Sequence, residues 1–198
     1  MKVYIIRHGE TEYNAARKAQ GWCDVKLTEK GREQAKTLGE HIKDIKFDRI
    51  ISSDLVRTKQ TVRLVFGDAA DIEFDARLRE INNTVVSGRS VFELLETYGE
   101  KYEYARRNFD YTELGGESRE SLIARTGDFL NSLKEDKKSE KIAVVTHGGT
   151  INAILSNVFD CKLKTTMIHA KNCSVTVLEL NENGWFLDVY NYVYDKLT

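Results

Sequence analysis

Two short apolar, β-prone runs in this chain each end in a histidine followed by a glycine. Val3 to Ile6 runs into Arg7-His8-Gly9-Glu10, and Ile142 to Thr146 runs into His147-Gly148-Gly149. Short continuous apolar runs bounded by polar turns suit strands buried in the middle of a helix-covered sheet. In open α/β sheets, ligands bind beyond the carboxyl ends of the strands. Both histidines are therefore delivered to the edge where a ligand sits, and the intervening chain has to complete the sheet and its helices.

The segments between them read accordingly. Asn14 to Asp24 is a polar loop. Thr28 caps a helix running to about Ile45, with Ala35, Leu38, Ile42 and Ile45 on one face. Asp48 to Ser52 is a second strand. Ser52-Ser53-Asp54 supplies capping residues for a helix over Leu55 to Phe66, with Arg57 in its first turn. Ile72 to Phe74 is a weak third strand, followed by Leu78-Arg79-Glu80. Ser90 to Arg107 reads as one helical stretch rich in aromatics. Ser118 caps a helix to about Lys134, with Leu122, Arg125, Phe129 and Leu133 near one side. A helix from about Thr150 to Val158 follows the second His-Gly, and Cys173 to Leu180 pairs with Trp185 to Val193 as a hairpin. The order predicts a three-layer α/β/α sandwich, its sheet mostly parallel with an antiparallel C-terminal edge. The 198 residues suit a single domain, 1–198, with a small helical cap inserted at about 84–117.

Composition narrows the classes. A net charge of −1 argues against a nucleic-acid or membrane-surface protein, and no apolar run approaches the ~20 residues that cross a bilayer. Cys23, Cys161 and Cys173 form neither a disulfide framework nor a zinc pattern, so reduced thiols in a cytoplasmic protein are expected. The N-terminus carries no signal-peptide pattern. The outer edge of the C-terminal hairpin offers a pairing surface for a second copy, a homodimer expectation.

Parallel neighbouring strands would bring His8, His147, Arg7 and Arg57 to one edge. Two fixed cations and two imidazoles suit a dianionic group such as a phosphoryl. The glycines after the histidines would let backbone amides approach that anion. Taken singly, each of these residues is an ordinary surface charge; the repeated strand-His-Gly pattern is what points to a site.

Arg7-His8-Gly9-Glu10-Thr11 with Asn14 resembles the signature of the histidine phosphatase superfamily, which includes the cofactor-dependent phosphoglycerate mutases. Further blocks agree in order: Gln20-Gly21-Trp22 with Leu27-Thr28-Glu29-Lys30-Gly31, Ser52 to Thr61, Leu78-Arg79-Glu80, Gly115-Gly116-Glu117-Ser118 and Val144 to Gly149. Asp54 stands where the family usually has proline. The resemblance implies His8 as nucleophile, Arg7, Arg57 and His147 as holders of the phosphoryl oxygens, and Glu80 as general acid and then base. It implies Asn14, Gln20, Gly21 and Gly148 as substrate contacts, a small phosphorylated metabolite as partner, and neither metal nor cofactor.

Within the family, the resemblance favours phosphomonoester hydrolysis over mutase chemistry. Gln20 stands where mutases typically have threonine, Ile81-Asn82-Asn83 replaces their Arg-x-Tyr-Gly, and Gly149 replaces a frequent asparagine. Arg106-Arg107 points the other way, resembling a substrate-binding pair of the mutases; the reading preferred here is a cationic helix C-terminus. Asn83 to Gly88 departs from the block found in α-ribazole phosphatases. Tyr98, Tyr102, Phe109 and Tyr111 read as the core of the cap rather than as a roof for substrate. Phosphoprotein phosphatases need a more open site, and a silent binding module would not keep His8, Arg57, Glu80 and His147. His41 and His169 read as surface residues.

Overall fold

The computed structural model describes residues 1–161 and 168–194. Six strands form one sheet: β1 (Lys2–Arg7), β2 (Arg49–Ser52), β3 (Glu73–Phe74), β4 (Lys141–Thr146), β5 (Val175–Asn181) and β6 (Gly184–Tyr192). Their order is β3-β2-β4-β1-β5-β6. The β1–β4, β2–β4 and β2–β3 pairings are parallel, and β5 runs antiparallel to both β1 and β6. The mostly parallel sheet with an antiparallel C-terminal edge is therefore observed.

The alternation hidden in the two central strands sorts their side chains between two cores. Val3, Ile5, Ile142 and Val144 pack with Phe129, Leu133, Ile151 and Ile154 of α6 (Arg119–Lys134) and α7 (Gly148–Val158). Ile6 and Val145 pack on the opposite face with Leu38, Ile42, Val62 and Val65 of α2 (Glu29–Ile42) and α3 (Val56–Phe66). All six strand residues are at most 1% exposed. Burial on both faces makes these strands read as unbroken apolar runs. The register then matters for function. Ile6 is opposite Val145 and Arg7 opposite Thr146, so His8 and His147 leave the sheet at the same level.

Four local expectations change. Glu12–Ala15 forms a one-turn helix, α1, which overlaps the start of the segment read as a loop over Asn14 to Asp24; Thr11 and Asn14 close a capping box there. The aromatic stretch is two helices, α4 (Val91–Tyr98) and α5 (Glu100–Asn108), because Gly99 takes φ +52°, a conformation outside the helical basin that glycine adopts without strain. α7 starts at Gly148 rather than Thr150, with extended His147 at its N-cap. Ser53 and Asp54 do not cap α3, whose N-cap is Leu55 without a side-chain bond. Both are drawn into tertiary contacts described below. A third apolar cluster, with Ile81, Val86, Leu94, Tyr102, Tyr111 and Leu114, holds the segment around 84–117 together. Among the described residues, no helix is long and apolar enough to cross a membrane.

Candidate active site

His8 is 2% exposed at the end of β1. Its Nδ1 lies 2.7 Å from the carbonyl oxygen of Gly9. A carbonyl only accepts, so Nδ1 carries the proton and Nε2 holds the lone pair in the neutral ring. Burial, with Arg57 and Arg7 as the next contributors, holds the His8 imidazole well below the usual histidine range. The ring is thus a neutral base with a defined free nitrogen. Asn172 secures the backbone by donating from Nδ2 to the His8 carbonyl (2.9 Å).

His147 lies beside it, ring centroids 5.2 Å apart. Arg57 donates from Nε to His147 Nδ1 (3.1 Å), so the neutral His147 carries its proton on Nε2, which donates to Ser53 Oγ (2.9 Å). Burial, then Arg57, pushes the His147 pKa well down. Arg57 itself is 1% exposed and also donates to the carbonyls of Cys23 (3.1 Å) and Gly21 (2.8 Å). Burial lowers its pKa to about 10, still far above neutrality. Arg7 donates from Nη1 to the Ala170 carbonyl (2.5 Å), while its buried Nε has no hydrogen-bond partner among the described residues. An orphaned buried donor costs free energy until a ligand supplies an acceptor.

Glu80 comes from an irregular segment after a 3₁₀ turn at Ala76–Leu78. Its Oε2 accepts from the Gly149 amide and its Oε1 from the Ile81 amide, both at 3.0 Å. Gly149 permits this close packing: an added Cβ would lie 2.3 Å from both Glu80 Oε1 and the Phe109 ring, so those side chains would have to shift. Two of the amides in the His-Gly segments serve within the protein rather than in an anion cradle, those of Gly9 and Gly149. Gly9 donates to Thr61 Oγ1 (3.0 Å) and Gly149 donates to Glu80.

A cavity of about 330 Å³ opens at this edge. Arg7, Glu80, Gln20, Gly21, Gly148 and Gly149 line it, with Arg17 and Lys18 at an exposed rim. Tyr102, Phe109 and Tyr111 belong to the cap core and also form a wall of this cavity, so they are more than the packing residues expected. His169 is exposed, as expected, and also lines this cavity. His8, Arg57 and His147 are buried next to the lining rather than on it. Asn14 is not on the lining, and its Oδ1 is occupied by the Thr11 amide and Asn172 Nδ2. Gln20 Oε1 accepts from Thr11 Oγ1 (2.9 Å). Among the described residues, no group of three or more His, Cys, Asp and Glu side chains gathers as metal ligands would. Sequence reasoning missed Ser53 as a partner of His147, Thr61, Asn172 and the close packing at Gly149. Only Ser53 carried a signal, by lying at the end of β2.

The two buried imidazoles make stability depend on pH. Both titrate near 6.5 once unfolded but resist protonation in the fold. Below that pH the unfolded chain binds more protons, so stability falls as pH drops. Each histidine contributes a slope of about 1.4 kcal/mol per pH unit. Urea midpoints measured between pH 7 and 5 should fall steeply, and His147→Asn should flatten the slope.

Comparisons with known proteins converge on one family. Residues 3–193 match the profile of the histidine phosphatase superfamily (branch 1). A Salmonella paratyphi A protein named "Probable phosphoglycerate mutase GpmB" is 34% identical over 188 residues, which cover 93% of this chain and 87% of that protein. The structure of a mycobacterial glucosyl-3-phosphoglycerate phosphatase with VO3 superposes with a TM-score of 0.84 at 28% identity, over 96% of this chain and 98% of that one. The α-ribazole phosphatase from Shigella flexneri superposes at 0.89 over 100% of both chains; at 24% identity, that likeness concerns the fold alone.

Proposed function

The chain belongs to branch 1 of the histidine phosphatase superfamily, and on that premise we propose that it hydrolyses a small phosphomonoester through a phosphohistidine at His8. The observation that carries this reading is the Nδ1–H bond to Gly9, which leaves a neutral, desolvated Nε2 as nucleophile between two guanidiniums. In the first step the Nε2 lone pair attacks phosphorus, the ester P–O bond breaks, and Glu80 gives its proton to the departing alkoxide. Arg7, through an Nε with no partner among the described residues, and Arg57 hold the non-bridging oxygens. His147 orients Arg57 through Nδ1. In the second step Glu80 takes a proton from water, the water oxygen bonds to phosphorus, and the P–N bond breaks to free His8. Gln20, Gly21 and Gly148 border the substrate on the cavity lining, and Asn14 supports them through Thr11. The reaction in this reading uses neither metal nor cofactor.

The substrate proposed carries a second anionic group. Arg17 and Lys18 stand at the rim, and Glu80 is the one acid among the described lining residues. Phosphoglycerate and glucosyl-3-phosphoglycerate, named for two relatives, both place a carboxylate beside a phosphate. The aromatic wall of Tyr102, Phe109 and Tyr111 favours a small molecule over a phosphoprotein. The mutase reading has one observation in its favour, the 34% identity to a protein of that name. Against it, Arg106 and Arg107 lie on the exposed side of α5 and are not among the lining residues, and Arg107 pairs with Glu103. Free Cys23, Cys161 and Cys173 support a cytoplasmic location. The outward Phe186, Tyr190 and Tyr192 of β6 support a second copy pairing along that edge, in a homodimer.

A panel of phosphorylated metabolites tests the reading, assayed with chelator present and with 3-phosphoglycerate plus 2,3-bisphosphoglycerate as one well. The expected result is release of inorganic phosphate, with carboxylate-bearing substrates at least about tenfold better in kcat/KM than matched alkyl phosphates, as one added charge-assisted contact allows. Efficient isomerisation without phosphate release would reverse the assignment.

A further inference from the structure

Glu80 sits on a stretch with no helix or strand to hold it, yet nearly every carbonyl around it is caught by a side chain from elsewhere. Arg125, on the inward side of α6, accounts for most of this. Its Nη1 donates to the carbonyls of Arg77 (2.6 Å) and Arg79 (2.7 Å), and its Nη2 to that of Glu80 (3.0 Å). Its remaining two N–H groups form a bidentate pair with Glu117, Nε to Oε1 at 2.8 Å and Nη2 to Oε2 at 3.1 Å. All five guanidinium donors are thereby used. The pair is sheltered, at 17% and 11% side-chain exposure. Glu117 closes the clamp from the far side: its Oε2 accepts from the Asn82 amide (3.0 Å), and its own amide donates to the Asn82 carbonyl (2.7 Å).

Other side chains complete the brace. Thr146 Oγ1 donates to the Leu78 carbonyl (2.7 Å), and Thr150 Oγ1 to that of Arg79 (2.9 Å). Trp22 Nε1 donates to the Glu80 carbonyl (2.7 Å). The Arg79 guanidinium stacks over the Trp22 ring at 4.7 Å and pairs with both oxygens of Asp54. Asp54 occupies the position where the family usually has proline, so this last strut belongs to this chain's own sequence.

We propose that Arg125 and Glu117 are positioning residues for Glu80: their clamp on residues 77–82 fixes where the carboxyl stands over the cavity. This rests on the reading of Glu80 as general acid. A clamp acting through backbone carbonyls sets distance, and proton transfer to a leaving group depends steeply on it. The substrate-binding groups Arg7, Arg57 and His8 are held by other bonds and stay in place.

The test compares an alkyl phosphate, which needs a proton on its leaving oxygen, with p-nitrophenyl phosphate, which does not. For Arg125→Met and Arg125→Lys, kcat on the alkyl phosphate should fall about 10- to 100-fold, with KM within threefold and the burst rate of p-nitrophenolate release, which reports the first step alone, nearly unchanged. Lysine keeps the charge and lacks the fork, so it should not rescue. Glu117→Gln serves where the arginine variants unfold, and should show the same split more weakly. Added to Glu80→Gln, Arg125→Met should cost nothing further on the alkyl phosphate. Equal losses in alkyl phosphate turnover and in the p-nitrophenolate burst rate, or full activity in Arg125→Lys, would overturn the clamp. If Glu80→Gln itself slows alkyl phosphate turnover and the p-nitrophenolate burst equally, it is the acid assignment that fails, and the clamp with it.

Discussion

His8→Ala is expected to lower kcat/KM by about 10⁴-fold or more on every phosphomonoester, because loss of a nucleophile removes the whole double-displacement route. Neither Arg7, Arg57 nor His147 can substitute. The guanidiniums remain protonated at neutral pH, and His147 has its Nδ1 occupied by Arg57 and its Nε2 proton directed to Ser53. The loss should be the same for good and poor leaving groups, since both need the same acceptor. Binding should survive: Arg7 and Arg57 keep their positions through Ala170, Cys23 and Gly21. Inorganic phosphate or vanadate should therefore still bind the inactive protein. Steady-state rates on p-nitrophenyl phosphate and an alkyl phosphate measure the first effect, and competition or calorimetry the second. Activity within tenfold of the native protein would remove His8 from its assigned role.

Glu80→Gln is expected to separate substrates by their leaving groups. The glutamine is nearly isosteric, and its carbonyl oxygen can still accept from the Gly149 amide. What it lacks is a proton to give. On alkyl phosphates kcat should fall about 10²- to 10³-fold, within the usual range for losing a general acid. With p-nitrophenyl phosphate the first step should be almost unaffected. The second step then limits, since water has lost its base, and a burst of p-nitrophenolate should precede a slow steady rate. Stopped-flow absorbance resolves both phases. A single slow phase, equal for all leaving groups, would mean that Glu80 acts only by shaping the cavity.

The two strand ends were legible in the sequence because a buried central strand has a composition of its own, and the His-Gly pairs mark where it stops. The sheet order was less so. The pairing of β1 with β4, and the register that levels His8 with His147, arise between segments some 140 residues apart, where no local pattern reports on them. Gly99 was obscured by helical sequence on both sides of it. Ser53 and Asp54 have the chemistry of helix caps, and tertiary partners outcompeted that local use: His147 takes Ser53 and Arg79 takes Asp54. Asn14 has a local use beside the contact implied for it, its oxygen accepting from the Thr11 amide in a cap. Arg125 and Glu117 are eight residues apart, outside helical contact spacing, so nothing in the sequence paired them.

The central claim is that Nε2 of His8 accepts the phosphoryl group. The most direct measurement is to quench the native protein in the burst phase under alkaline, denaturing conditions, and to locate the phosphate by peptide mapping and phosphorus NMR. The prediction is stoichiometric phosphohistidine at residue 8, substituted on Nε2, since Nδ1 is protonated and bonded to Gly9. Phosphate on Nδ1, on any other residue, or on no residue at all during turnover would contradict it.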